Sequence, residues 1–291
     1  MSENPDVNGR ANSPEVERYP GDSHDGSVLC PNCGEILTNS FCAACGQKRI
    51  HPGDLSLGHA WHHVTHEVLH VDGRIFRSLR TLVASPGQLT LDFWDGRRAS
   101  HVHPIRLFLI FFFLYFLFAP LSSRLNLGAT LSSAISPAIE ASLEAPAAAV
   151  NKTPQQVLRA ARERTSAAFK PFDMLAVVLS GAVMWMLFRK RRRFLAEHMV
   201  MALHLACFNM GLTLTVGWLA VAPGVLGGVG GAVLLVGAAG YFLLATRRVY
   251  GGSWLVLLMK YVIIEVAKAV MLIAGLLAVF VYTLGNELAT P

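Results

Sequence analysis

The chain has 291 residues, of which 53% are hydrophobic and only 15% charged. Soluble domains are nearer a quarter charged, and the mean hydropathy of +0.44 comes from long apolar blocks. A disordered chain, a disulfide-rich secreted module and a single soluble globule are therefore excluded. The net charge of +6 is 25 basic against 19 acidic residues, and most of the basic ones flank apolar blocks, where they act as topology signals.

Residues 1–28 are polar, acidic and rich in Pro, Gly, Ser and Asn. They cannot bury enough surface to offset ordering entropy, which predicts a disordered tail. With no basic start leading into an apolar core, no cleavable signal peptide is expected, and the N-terminus is assigned to the cytoplasm.

Residues 29–50 hold Cys30-Pro-Asn-Cys33-Gly34 and Cys42-Ala-Ala-Cys45-Gly46, two C-x-x-C-G knuckles. Four thiolates at this spacing can surround Zn²⁺ as a tetrahedron with no open position, so the zinc is expected to be structural. A cytoplasmic setting argues against disulfides. The lack of a βαβ context argues against a redox pair, and a rubredoxin-like iron site is the remaining alternative. So short a ribbon has almost no core and should not fold without its metal. Few basic residues and no aromatic beyond Phe41 precede Lys48, which argues against nucleic acid. Docking to a cytoplasmic protein partner is the expectation.

Residues 54–103 form the approach to the membrane. Eight of the eleven histidines fall within 51–103. On a helix His59, His62, His63, His66 and His70 share an arc of about 100°. His66-Glu67-Val68-Leu69-His70 spells H-E-x-x-H, which can place two imidazoles on Zn²⁺ with Glu67 as general base. No third ligand follows and Gly73 breaks the helix, so a solvated or headgroup-facing stripe is the preferred reading. After Gly73, Arg74, Arg77 and Arg80 recur at i+3, with Ile75, Phe76, Leu79, Leu82 and Val83 as the apolar side. Pro86-Gly87 ends that helix. Arg97, Arg98 and Arg106 then flank the first apolar block beside Phe93 and Trp94. This composition suits interfacial helices with guanidinium groups on lipid phosphates.

Five apolar blocks follow. The first, 105–121, has six phenylalanines and no charge after Arg106. The others cover 172–188, 194–221, 225–245 and a segment within 254–284. Each is near or above the ~17 residues needed to cross a hydrocarbon core of about 30 Å. With the N-terminus inside, Arg97, Arg98 and Arg106, the dense run 189–193, and Arg247 with Arg248 all fall on the cytoplasmic side. The 122–170 loop is then external, with a helix start at Thr153-Pro154. Its six basic residues are dilute and partly offset by Glu140, Glu144 and Glu163. The glycine-rich fourth span is expected at the centre of the bundle, because small residues let backbones approach. Ionisable groups in the spans are functional candidates by default: His198, His204, Glu265 and Lys268. Lys260 and the Glu265–Lys268 pair suggest that the last segment begins along the interface before it spans.

The knuckles, Asp72-Gly73-Arg74 with Arg77 and Arg80-Thr81-Leu82, Pro86-Gly87, and Gly96-Arg97-Arg98 with Pro104 and Arg106 resemble an uncharacterised bacterial family. Glu197-His198-Met199, Leu203-His204 and Val249-Tyr250-Gly251 resemble its later elements. Its members are multi-pass membrane proteins with an N-terminal zinc ribbon. The resemblance implies a bacterial cytoplasmic (inner) membrane and no assigned activity.

Together these features predict an all-α transmembrane helix bundle of about five spans, preceded by a small cytoplasmic zinc ribbon and amphipathic interfacial helices. The expected role is a non-enzymatic scaffold or binding protein in the lipid bilayer. The alternatives are a small-solute or ion permease using His204, Glu265 and Lys268, and a metallopeptidase using His66, Glu67 and His70.

Overall fold

The computed structural model describes residues 29–48, 73–123, 140–169, 171–192 and 194–289. The tail and the histidine stripe with His66, Glu67 and His70 lie outside the described residues. Eight helices are α1 (Gly73–Ala84), α2 (Gln88–Trp94), α3 (Pro104–Ser123), α4 (Pro154–Phe169), α5 (Pro171–Phe188), α6 (Leu195–Val216), α7 (Val225–Tyr250) and α8 (Trp254–Ala289). A further helical stretch covers 140–149. There is no strand among the described residues, only isolated bridges at Leu29–Ile36 and Phe41–Lys48 in the cysteine module.

Three helices, α6, α7 and α8, are long and apolar enough to cross a membrane, and two shorter apolar helical stretches cover Pro104–Phe118 and Met174–Phe188. Their large side chains divide in the way a bilayer demands. One cluster, including Leu107, Met184, Phe188, Met201, Phe242 and Leu257, is sealed inside. Leu235, Val236, Leu255, Val270 and Val281 stand on outer faces. In water so much exposed apolar surface would drive association; against lipid tails it costs nothing.

The hub of the bundle is α6, which packs against α1, α2, α3, α5 and α7. The glycine-rich α7 does not take that place. Gly228, Gly231 and Gly240 have open space where a Cβ would stand, whereas Gly230 lies on the backbone of Leu219 and Ala220. The glycines therefore serve partly to fold the start of α7 onto the 3₁₀ turn Leu219–Val221. Small residues permit close approach but do not require it.

The last segment is one uninterrupted 36-residue helix. Its charges need no break, because each finds a partner on the helix itself or on a neighbouring element. Lys260 donates to the Leu187 carbonyl at 2.8 Å, and Lys268 pairs with Glu265 at 2.7 Å. At the far end Thr283 meets Thr165 of α4 at 2.9 Å, and the buried Glu287 holds Arg164 at 2.7 Å and Lys152 at 3.5 Å.

The amphipathic helix α1 turns Ser78 and Leu82 inward, with Ile75 and Leu79 packed against the core. Phe76 and Val83, grouped by sequence with that apolar face, instead point outward beside Arg74, Arg77 and Arg80.

Candidate functional site

The chemistry-bearing residues gather at one end of the bundle, where the cysteine module, α1, α2 and the loop 95–103 meet α6 and α7. The module is two copies of one turn. In each, the first cysteine N–H donates to the carbonyl five residues on (Cys30 to Glu35, 2.7 Å; Cys42 to Gln47, 2.9 Å), and the glycine N–H returns to the first cysteine's carbonyl at 2.8 Å. Gly34 and Gly46 occupy the left-handed region (φ 79° and 71°), which only glycine enters without strain. The turns bring the Sγ atoms of Cys30, Cys33, Cys42 and Cys45 within 4.8 Å of one another.

Cys30–Cys45 and Cys33–Cys42 are separated by 3.6 and 3.5 Å. A disulfide requires about 2.05 Å. A tetrahedron of thiolates around a metal at 2.3 Å has edges of about 3.8 Å. The spacing fits four ligands of one ion. Burial pushes the Cys30 thiol above its usual range, and a central cation is what would hold four such sulfurs as thiolates. Among the described residues this is the one cluster of His, Cys, Asp or Glu that could hold a metal.

The residue after the second knuckle is the joint between module and bundle. Gln47 is 5% exposed. Its Nε2 donates to the Gly96 carbonyl at 2.7 Å, and its Oε1 accepts the N–H groups of Arg98 and Ala99 at 3.0 Å each. The first knuckle is tied to the same loop by Ser100 Oγ, which donates to Asn32 Oδ1 at 2.8 Å. Both knuckles thus rest on residues 96–100.

That loop is held in turn by a buried carboxylate. Asp92 accepts from Gln88 Nε2 at 2.9 Å and faces Arg97 at 3.1 Å and His101 Nε2 at 3.2 Å. A buried charge is costly unless paired on this scale. Burial holds His101 below the ordinary histidine range, against the pull of Asp92. Burial, with a contribution from Arg98, pushes His103 down to about 4. Ser78 Oγ accepts the Val102 N–H at 2.9 Å, and Arg77 donates to the Ser100 carbonyl at 3.3 Å.

From the spans, Tyr241 donates to the Leu82 carbonyl at 2.8 Å and Arg248 to the Pro86 carbonyl at 2.9 Å. Gly87 (φ 81°) presses on the backbone of Ala245 so closely that a Cβ would stand 2.8 Å from its carbonyl oxygen.

The arginines expected at lipid divide. Arg74, Arg77 and Arg80 lie on the exposed side of α1. Arg97 is tied to Asp92 and Asp95, Arg98 lies over the Phe93 ring at 4.7 Å, and Arg106 has a buried Nε.

Of the polar groups in the spans, His198 uses both nitrogens, with Nδ1 against Tyr250 Oη (2.9 Å) and Nε2 against the Arg192 carbonyl (3.3 Å). The carbonyl can only accept, so Nε2 carries the proton and the Tyr250 hydroxyl donates to Nδ1. His204 shares a 2.8 Å hydrogen bond between Nδ1 and Thr90 Oγ1. Glu265 and Lys268 are not beside either histidine. They border a separate cavity of about 350 Å³ among α5, α6, α7 and α8, with Asn209 on its wall.

Gln47, Asp92, Thr90, His101 and His103 were not picked out by sequence. A signal existed for Asp92, a lone acid inside the apolar run Leu89–Trp94 with arginines just beyond it. Gln47 and Thr90 had none, because their partners lie 49 to 114 positions away.

Residues 72–116 match the model of a family described as "Protein of unknown function (DUF3667)". The matched stretch is α1, α2, the loop that carries the cysteine module, and the first part of α3. Neither a curated protein nor a solved structure matches the chain.

Proposed function

We propose that the chain is a five-span protein of a bacterial inner membrane, with its N-terminus in the cytoplasm, whose zinc-loaded head braces the cytoplasmic end of the bundle as a non-enzymatic binding module. The observation that carries this reading is the Gln47 joint, which converts a zinc-dependent turn into a fixed position for the loop 96–100. Four cysteines leave no position for substrate, so the ion supplies structure and not reactivity. α3 and α5 are the two further spans. The basic run after α5 and Arg247–Arg248 at the end of α7 would then share the cytoplasmic face with the head. Arg74 and Arg80 on the outer side of α1, with Phe76, suit contact with lipid phosphates.

Zinc counting tests the reading. Detergent-purified wild type is expected to hold one zinc per chain, lost in Cys42→Ser/Cys45→Ser and retained in His66→Ala/His70→Ala. A second zinc lost only in the histidine variant would overturn the non-enzymatic reading in favour of a metallopeptidase.

A second reading, a small-solute permease, is favoured by the cavity beside Glu265, Lys268 and Asn209. Solute flux in proteoliposomes that disappears in Glu265→Gln would establish it; absence of flux in wild type across cations, anions and small polar solutes would remove it.

A further inference from the structure

The loop 95–103 encloses a second, smaller cavity. Its volume is about 50 Å³, and its wall includes Phe93, Arg97, Arg98, His101, His103 and His204. Four buried nitrogen atoms on these residues have no hydrogen-bond partner: Arg97 Nε, Nδ1 of His101 and of His103, and Nε2 of His204. Buried polar atoms are almost always paired, so four on the wall of one cavity call for a polar guest. His204 is 3% exposed. Its ring is fixed by Thr90, as that of His101 is by Asp92. The unpartnered nitrogens of these two rings are therefore held in place and do not wait on a rotamer change.

We propose that this cavity binds a phosphate group that keeps a P–OH, either free phosphate or the monoester headgroup of a lipid. The charge balance around it favours an anion. Arg77 and Arg97 act on His101 and Arg98 acts on His103, while the facing carboxylates are Asp92, already shared by three partners, and Asp95 on the exposed side of Arg97. A metal cation is disfavoured by the same arginines, and these histidines do not form a ligand cluster of the kind the cysteines do.

Protonation follows from hydrogen-bond direction. His101 donates Nε2–H to Asp92, so its neutral ring offers Nδ1 as a lone pair. Burial favours the neutral ring at both His101 and His103. A guest must then accept from guanidinium N–H groups and donate to imidazole, which a P–OH group does and a sulfate or a phosphodiester cannot. The volume suits one tetrahedral oxyanion, or about three to five waters at about 10–15 Å³ each. The side chain of Arg97 is 41% exposed and joins the cavity to the surface. Pro104, on the same wall, is the first residue of α3, so the cavity lies at headgroup depth.

The test uses the full chain in detergent and in nanodiscs. Titration of inorganic phosphate near pH 6.5, followed by ³¹P resonance and calorimetry, reads the free arm, with sulfate as the unprotonated control. Nanodiscs doped with phosphatidic acid or phosphatidylglycerol read the lipid arm. Expected are saturable binding of phosphate, or selective retention of phosphatidic acid. Sulfate or phosphatidylglycerol should bind at least ten-fold more weakly. Arg97→Gln and His103→Asn should each weaken binding at least ten-fold while eluting as folded protein. No saturable binding in either arm would mean that the cavity holds water only and would overturn the proposal. So would equal affinity for phosphate and sulfate, or folded variants that bind as wild type. Should a variant fail to fold, the phosphate-to-sulfate ratio of wild type decides.

Discussion

Between Ser78 and Pro104 almost every turn of the chain is fixed by a side chain reaching in from elsewhere: Gln47 from the cysteine module, Tyr241 and Arg248 from α7, His204 from α6. α8 is built the other way. It is 36 residues long, with only Leu257, Ile264, Thr283 and Glu287 buried, and polar ties near its two ends. Tertiary bonds that satisfy backbone carbonyls and a buried carboxylate make the first region cooperative, since losing one leaves a buried group unpaired. α8 satisfies its own backbone by helix formation alone and asks little of its neighbours. Order can thus come from many cross-links in an irregular segment, or from a few near the ends of a regular one.

The comparison breaks most severely if the module is unfolded. In Cys42→Ser/Cys45→Ser the metal's contribution, ~10 kcal/mol or more for structural zinc in small peptides, disappears. The Gln47 joint should open with it. Limited proteolysis should then cut within 95–103 while α8 stays intact; cleavage of both at equal rates would show that the two regions are not separable.

Gly87→Ala is expected to cost about 3 kcal/mol, from the left-handed backbone and the contact with the Ala245 carbonyl together. Its thermal midpoint in detergent should fall by several degrees, and a midpoint within one degree of wild type would contradict the close approach.

Acid should loosen the first region before the second. The folded-state pKa of His103 lies at about 4, below the ordinary ~6.5, so the unfolded chain takes up the proton first. The stability this group contributes is complete above pH 6.5 and is lost as pH falls from 6.5 toward 4. The loss should be about 2 kcal/mol once its partial exposure is allowed for. In phosphate-free buffer the melting midpoint of wild type should decline over that window more steeply than that of His103→Asn. Parallel curves would remove His103 as the cause.

The smallest effect is expected for Tyr241→Phe, which deletes one hydrogen bond to the Leu82 carbonyl. A loss of about 1 kcal/mol should appear as faster amide exchange near the end of α1, with α8 unchanged.

What could be read from residues alone follows the same division. The apolar blocks, the helix start at Pro154 and the two knuckles are local patterns, each complete within a few tens of residues. The structure has helices within the blocks and from Pro154, and paired turns at the knuckles, although the helix of the third block stops at Val216 and that of the fourth runs on to Tyr250. The cysteine cluster was legible because metal geometry restricts spacing so tightly. The cross-links were not, since a glutamine after a knuckle or a threonine in a short helix looks the same whether its partner is water or a residue a hundred positions away. The place of the glycine-rich α7 was misjudged for a related reason. A pattern that allows close packing says nothing about which helix comes close, and His204 and Thr90 put α6 there instead.

The two ends of α8 carry one further consequence. From Lys260, tied to the end of α5, to Glu287, tied to α4, the helix rises about 40 Å at 1.5 Å per residue. That is close to the thickness of a bilayer with its headgroup regions. Both ties sit among headgroups only when the surrounding membrane matches that length. A thinner bilayer would have to thicken around the protein or tilt the helix. In the proposed membrane orientation α8 would act as a ruler, favouring lipids whose chain length matches the distance between its two ties.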